Sequence, residues 1–171
     1  MNVLISDKQR DLPLKHEKEK IALIAKSVVT LEEKKFDEVS IFLISDAQTR
    51  KIHKQFFNDP SPTDCMSFPM DSCTLGGCID FPELCDDELD DLGLKILGEI
   101  FVCPKTAIEY AAQYKKNPYE EVTLYIVHGL LHLLGYDDIE KNARSEMRKA
   151  EKKHMKQLAQ KGLILNGRSS I

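Results

Sequence analysis

Residues 128 to 138 read HGLLHLLGYDD and place two histidines on one face of a helix that ends soon after them. His128 and His132 are four residues apart in an apolar run, and this spacing puts both imidazoles on the same side of a helix. Gly135 follows where that helix is expected to end, because glycine readily adopts the left-handed conformation of a C-terminal cap. The chain then turns back and brings Asp137 or Asp138 towards the histidines.

This combination of residues predicts a metal site. Two neutral imidazoles and one carboxylate, with room for water, are typical of a catalytic rather than a structural zinc. The alternative is that each histidine is an ordinary core residue, which is the commoner role of a single histidine on an apolar helix face. A second histidine at helical spacing, a capping glycine and a nearby acid are harder to explain by packing, so the sequence favours a bound divalent metal.

The composition indicates one soluble domain. A length of 171 residues suits a single core, and no apolar run approaches the roughly 20 residues that span a bilayer. The N-terminus lacks the features of a secretory signal, and we therefore expect a cytoplasmic protein with no membrane association. The odd number of irregularly spaced cysteines favours reduced thiols over a four-cysteine zinc site. These cysteines are Cys65, Cys73, Cys78, Cys85 and Cys103.

The charge pattern argues against a globally basic nucleic-acid-binding protein, since the net charge is -4. A local cationic groove is still compatible with the sequence, because cations crowd the segment after the histidines. These cations are Lys141, Arg144, Arg148, Lys149, Lys152, Lys153 and Lys156. Glutamates are interleaved with them, and the pattern therefore favours a solvated helix.

The order of elements predicts a single α+β domain over 1–171 with a helical C-terminal half. Strands are expected at 3–5, 39–44, 65–69 and 96–103, with the third at a sheet edge because it contains Pro69. Helices are expected at 15–33, from a cap at Ser45 or Asp46 to Phe57, at 104–116, from Pro118 through the histidines, and at 140–161. The acid-rich segment from 71 to 93 reads as a solvated loop, since it lacks the ligand spacing of a calcium loop.

The histidine stretch resembles the signature of the YbeY family, bacterial metal-dependent endoribonucleases of ribosomal RNA maturation. Four further segments or residues resemble that family: 62–64 with 67–69, 97–100, Met147 and Glu151. The resemblance implies a small mixed sheet of about four strands with helices packed around a metal-bearing cleft. It also implies action on single-stranded ribosomal RNA at the 3′ end of the small-subunit RNA, and a part in ribosome quality control.

Within such a site, the chemistry of the individual residues suggests their roles. His128, His132 and Asp138 are expected to bind one zinc ion, or another divalent metal, and these three and Asp137 are counted as catalytic. Asp137 is expected either to orient a ligand or water or only to shape the turn. Glu99 is a candidate base if its strand end opens into the cleft. Ser67 and Thr63 are expected to contact phosphate, or only to cap and turn.

Two positions depart from the family pattern. Asp138 stands where the family usually has histidine, and a carboxylate can replace imidazole on zinc but makes the site slightly harder. Phe57 stands where similar members carry an arginine thought to help catalysis, and phenylalanine cannot neutralise a phosphate. Arg50, Lys51 and Lys54 are candidate replacements.

Two other functions compete with an endoribonuclease. The spacing of His128, His132, Gly135 and Asp138 matches an extended zinc-protease motif, but Gly129 stands where such proteases need their catalytic glutamate. The second alternative is a ribosome assembly factor in which the metal only stabilises the fold. By resemblance, the expected partners are ribosomal RNA, small-subunit components and a ribosome-associated GTPase. The oligomeric state has no signal in the sequence.

Overall fold

The computed structural model describes residues 1–70 and 95–167. The expected acidic loop at 71–93, with Cys73, Cys78 and Cys85, lies outside the described residues. Cys65 and Cys103 form no disulfide within the described part of the chain. None of the described helices is long and apolar enough to cross a membrane.

The four expected strands and five expected helices are all present. The strands are β1 (Asn2–Asp7), β2 (Glu38–Leu43), β3 (Cys65–Pro69) and β4 (Ile96–Val102). The helices are α1 (Lys18–Leu31), α2 (Asp46–Phe57), α3 (Pro104–Tyr114), α4 (Pro118–Leu133) and α5 (Lys141–Gln160). Residues 15–17, expected as the first turn of α1, form a separate 3₁₀ helix. The other bounds agree with expectation to within two residues, the usual uncertainty of helix and strand ends.

The strands form one mixed sheet in the order β1-β2-β4-β3. β1, β2 and β4 run parallel, whereas β3 pairs antiparallel with β4 and lies at the sheet edge. Proline cannot donate a ladder hydrogen bond, which suits Pro69 to the end of an edge strand. The expected α+β domain with a mixed four-stranded sheet is therefore confirmed for the described residues.

The main core lies between one face of the sheet and helices α1, α4 and α5. Fully buried members include Ile41 and Ile100 from the sheet, Ile24 from α1, Ile126 from α4 and Met147 from α5. A smaller apolar cluster covers the opposite face of the sheet and involves α2. Its buried members are Ile44, Ile52, Met66 and Phe101.

Both ends of α4 are capped by local sequence. The side chain of Asn117 accepts a hydrogen bond from the backbone N–H of Tyr119, and Pro118 occupies the first helical turn, where its missing N–H costs nothing. At the other end, Gly135 has φ +102° and donates its N–H to the carbonyl of His132, while Tyr136 donates to that of Leu131. This pair of bonds is a Schellman motif, and it turns the chain back over the histidines as the sequence predicted.

Helix α4 packs very closely on the sheet at Gly129. A Cβ atom at this position would lie 3.1 Å from Cγ2 of Ile100 and 3.4 Å from the hydroxyl of Ser67. The same hydroxyl donates a hydrogen bond of 3.0 Å to the carbonyl of Gly129. Residue 129 therefore faces the sheet, and a glutamate there would have no space and would not reach the histidines.

The close contact makes a graded prediction at Gly129. Gly129→Ala should change the free energy of unfolding little, because a gain of about 1 kcal/mol in helix propensity opposes the tight contact with Ile100. Gly129→Leu should lower it by about 2–4 kcal/mol through overpacking. Urea unfolding followed by circular dichroism measures both. Equal stability of the leucine and alanine variants would contradict the packing described here.

Candidate metal centre

The rings of His128 and His132 are each oriented by a hydrogen bond at Nδ1. Nδ1 of His128 lies 2.6 Å from Oε1 of Glu151, and Nδ1 of His132 lies 3.0 Å from the carbonyl oxygen of Tyr136. A carboxylate and a carbonyl both accept, so both Nδ1 atoms carry the proton. Each Nε2 atom of the neutral imidazoles is then left with a free lone pair.

The two Nε2 atoms face each other at 3.0 Å, and the carboxylate of Asp138 closes a triangle with them. Oδ2 of Asp138 lies 3.8 Å from Nε2 of each histidine. Three acceptors pointing at one another repel unless they share a cation. Ligands held at about 2 Å from a tetrahedral zinc lie about 3.3 Å apart, close to the distances seen here. The donor set therefore fits a divalent metal, and His128, His132 and Asp138 form the one such group found among the described residues.

The surroundings of His128 favour positive charge. Burial acts to lower the pKa of His128, but its hydrogen bond to Glu151 and the negative charges of Asp64, Glu151 and Asp138 outweigh burial and raise the pKa. The same negative potential that stabilises a proton on this ring also stabilises a metal cation beside it. The hydrogen bond from Nδ1 to Glu151 further makes the ring a better metal ligand.

Asp137 shapes the loop that presents Asp138. Oδ1 of Asp137 accepts hydrogen bonds from the backbone N–H groups of Asp138, at 2.7 Å, and Ile139, at 3.2 Å. Arg144 donates from Nε and Nη2 to the carbonyls of Asp138 and Ile139, both at 3.0 Å. Of the two roles expected for Asp137, the structure shows the turn, and its carboxylate stays outside the group of three.

A buried polar network anchors the same loop from the other side. The hydroxyl of Tyr136 donates to Oε2 of Glu32 at 2.9 Å, and Nε2 of His154 lies 2.8 Å from Oε1 of Glu32. Burial acts to raise the pKa of Glu32, but hydrogen bonds from Tyr136 and His154 and the charge of Lys153 lower it overall. Burial lowers the pKa of His154, which is 1% exposed. Glu32 therefore ties the end of α1 to the loop and to α5.

Several residues considered from the sequence have other roles. Glu99 alternates with Ile100 along β4 and shares its side of the sheet with Phe101, so it faces away from the histidines, and burial raises its pKa. The hydroxyl of Thr63 bonds to Asp64 and to the carbonyl of Cys65. Ser67 bonds to α4, as described above. The hydroxyl of Thr63 therefore shapes the turn before β3, whereas that of Ser67 neither caps nor turns but holds α4 on the sheet.

The cations considered as replacements near Phe57 are not part of the site. Phe57 is half exposed and packs its ring near those of His53 and Phe68. Arg50 pairs with Asp46 on α2 at 2.8 Å. Lys51 lines a separate small groove on the opposite face of the sheet. Arg50, Lys51 and Lys54 are all absent from the lining of the cleft beside His128, which is described next.

That cleft opens between α4, α5 and the loop after Gly135. Its volume is about 580 Å³, and sites for small organic ligands commonly enclose roughly 300–1,000 Å³. It is lined by His128, Asp138, Arg144, Met147, Arg148 and Glu151. Two of the three candidate metal ligands, His128 and Asp138, thus form one wall, and two arginines of α5 stand on another.

Comparisons with known proteins show similar sequences over most of the chain. A family model described as Endoribonuclease YbeY matches residues 4–159. The Endoribonuclease YbeY of Protochlamydia amoebophila is 46% identical over 158 residues, which cover 92% of this chain and 95% of that protein. Its counterpart in Chlamydia felis is 32% identical over 97% of this chain and 96% of its own length.

A solved structure has a similar fold. The solution structure of TM1509 from Thermotoga maritima matches with a TM-score of 0.57, over 94% of this chain and 91% of that one. Its sequence is 24% identical, so the likeness concerns the fold alone.

The adjacent aspartates provide a matched test of the third ligand. Asp138→Asn should weaken Zn²⁺ binding about tenfold or more, because it removes a charged ligand from the group of three. Asp137→Asn should leave binding within about threefold, because an amide oxygen can still accept the two backbone hydrogen bonds. Competition with a chromogenic chelator measures both affinities. Equal losses in the two variants would remove Asp138 from the ligand set.

Glu151 should act on metal affinity through His128. Glu151→Gln removes the charge that orients this ring, and we expect Zn²⁺ affinity to fall about 10-fold to 100-fold. Glu146→Gln is the control, because Glu146 lies on the same helix but pairs with Lys149 at the surface. An unchanged affinity in the Glu151 variant would show that the contact with His128 does not support metal binding.

Proposed function

The chain belongs to the endoribonuclease YbeY family, and from this premise we propose that it is a metal-dependent endoribonuclease that cuts single-stranded RNA. We further propose that it acts in ribosomal RNA maturation, at the 3′ end of the small-subunit RNA, and in ribosome quality control. In this proposal the protein works in the cytoplasm beside components of the small ribosomal subunit.

The convergence of His128, His132 and Asp138 carries the proposal. Two Nε2 atoms at 3.0 Å and a carboxylate oxygen at 3.8 Å from each form a group of three acceptors that a shared divalent cation would stabilise. We assign one zinc ion to them. When bound, such a metal polarises a phosphoryl oxygen and lowers the pKa of water to provide a nucleophile at neutral pH.

The chain's own residues prepare the site for this chemistry. Glu151 and the carbonyl of Tyr136 hold the protons on the two Nδ1 atoms, and both Nε2 atoms therefore remain available as ligands. Asp137 and Arg144 fix the loop backbone, and the carboxylate of Asp138 is therefore in place before substrate arrives. Preorganised ligands cost no rearrangement during the reaction, which is the main source of electrostatic catalysis.

The geometry favours RNA over peptide as the substrate. A zinc protease of this motif needs a glutamate at the position of Gly129. That residue faces Ile100 and Ser67 in the sheet, so the cleft receives no base from it. The cleft also carries two arginines, whose guanidinium groups match phosphate geometry.

Cleavage of single-stranded ribosomal RNA by the zinc-loaded protein tests the proposal. His132→Ala or a chelator should reduce cleavage about 100-fold or more, because each removes the metal centre. His16→Ala is the control, since His16 is exposed and far along the chain from the site. A duplex of the same sequence should be cut much more slowly, and casein should remain intact.

The result also separates a nuclease from an assembly factor. If wild type and His132→Ala show equal residual cleavage, the activity is a contaminant and the nuclease is excluded. A fall in melting temperature of the His132 variant in that case would support a purely structural metal. An activity that appears only with intact His132 and metal would support the nuclease.

A further inference from the structure

Helix α5 presents two arginines to the cleft on the same face that supports the metal ligands. Arg144, Met147, Arg148 and Glu151 are spaced by three and four residues, so they share one face of the helix, and all four line the cleft. Glu151 contacts His128 directly at 2.6 Å. Arg148 lies one helical turn before it, about 5 Å along the helix axis.

The two arginines differ in what they bond to. Arg144 uses Nε and Nη2 on the carbonyls of Asp138 and Ile139, and its positive charge is therefore fixed beside the third candidate ligand. Arg148 makes no hydrogen bond or ion pair within residues 1–70 and 95–167 and is exposed. Its neighbour Lys149 pairs with Glu146 and lies outside the cleft lining. Of the two cations that line the cleft in the described part of the chain, Arg148 is therefore the one with its donors available.

The substrate proposed above requires such a cation. Each RNA phosphate carries a negative charge, and the carboxylates of Asp138 and Glu151 in the cleft would repel it. Phe57 carries no charge, and Arg50 is already paired with Asp46. A guanidinium binds two phosphate oxygens at once through parallel N–H groups, which lysine cannot do.

From these observations we infer that Arg148 binds a backbone phosphate of the RNA next to the bond that is cut. Arg144 lies one helical turn earlier, adds positive charge and holds the loop of Asp138. This inference rests on the proposed function and names the residue by which the site holds its substrate. Arg148 forms no hydrogen bond or ion pair with the candidate metal ligands, so its substitution should leave metal affinity unchanged.

Steady-state cleavage of a fluorogenic single-stranded RNA by the zinc-loaded protein, over a range of NaCl concentrations, tests the role of Arg148. Arg148→Gln should raise KM about 3-fold to 10-fold and change kcat much less. The slope of log(kcat/KM) against log[NaCl] should become shallower by about 0.7, the value for one lost phosphate contact on a single strand. Zn²⁺ affinity should equal that of wild type.

Two further variants complete the test. Lys149→Gln makes the same change in net charge one residue away and should alter KM less than 2-fold. Arg148→Lys keeps the positive charge but loses the two parallel N–H donors of the guanidinium. It should therefore keep most of the salt slope and raise KM less than Arg148→Gln does. If wild type cleaves RNA but Arg148→Gln has the same KM and the same salt slope as Lys149→Gln, the inference is overturned and the proposed function stands. Absence of cleavage by wild type would instead remove the proposed function and the inference with it.

Discussion

The close packing of α4 on the sheet is the constraint on which the rest of the site depends. Gly129 brings the helix so near to β4 that Ile100 and Ser67 fill the place of a side chain. This contact fixes the rotation of α4 about its own axis. His128 and His132, one and three residues away, then face each other and Asp138 rather than the core.

Three separate elements complete the geometry that α4 begins. α5 supplies Glu151 to one histidine, the loop after Gly135 supplies the Tyr136 carbonyl to the other, and the same loop carries Asp138. α1 contributes from a distance, since Glu32 holds the hydroxyl of Tyr136. These hydrogen bonds restrict side-chain rotation before the metal binds, which lowers the entropy cost of binding it.

Negative and positive side chains occupy different parts of the cleft along α5. Negative groups gather at the end nearer His128, where they raise its pKa and favour a bound cation. Arginines stand one and two turns earlier on the same helix face. The separation of the two signs along one helix face allows a cation and an anionic ligand to be bound side by side. The overall charge of -4 gives no hint of this arrangement, because net charge averages over the whole surface.

Much of the architecture was determined by the sequence itself. The cap at Ser45, the prolines opening α3 and α4, and Gly135 ending α4 each act within a few residues, so local physics sufficed to place these helix ends. The spacing of His128 and His132 likewise specified a shared helix face. Asp137 and Asp138 remained equivalent in the pattern of residues alone, because either could follow the turn.

Only the tertiary structure decided which groups surround the histidines. The choice between the two aspartates depends on which carboxylate faces the histidines. Asp138 lies 3.8 Å from both Nε2 atoms, whereas Asp137 bonds to the loop backbone. Glu32 lies 122 residues from its partner His154, and no local signal connects them. Glu99 was placed on its strand by sequence, but the sheet register turned it away from the cleft. Contacts between distant segments arise from packing of whole elements, and sequence periodicity describes each element alone.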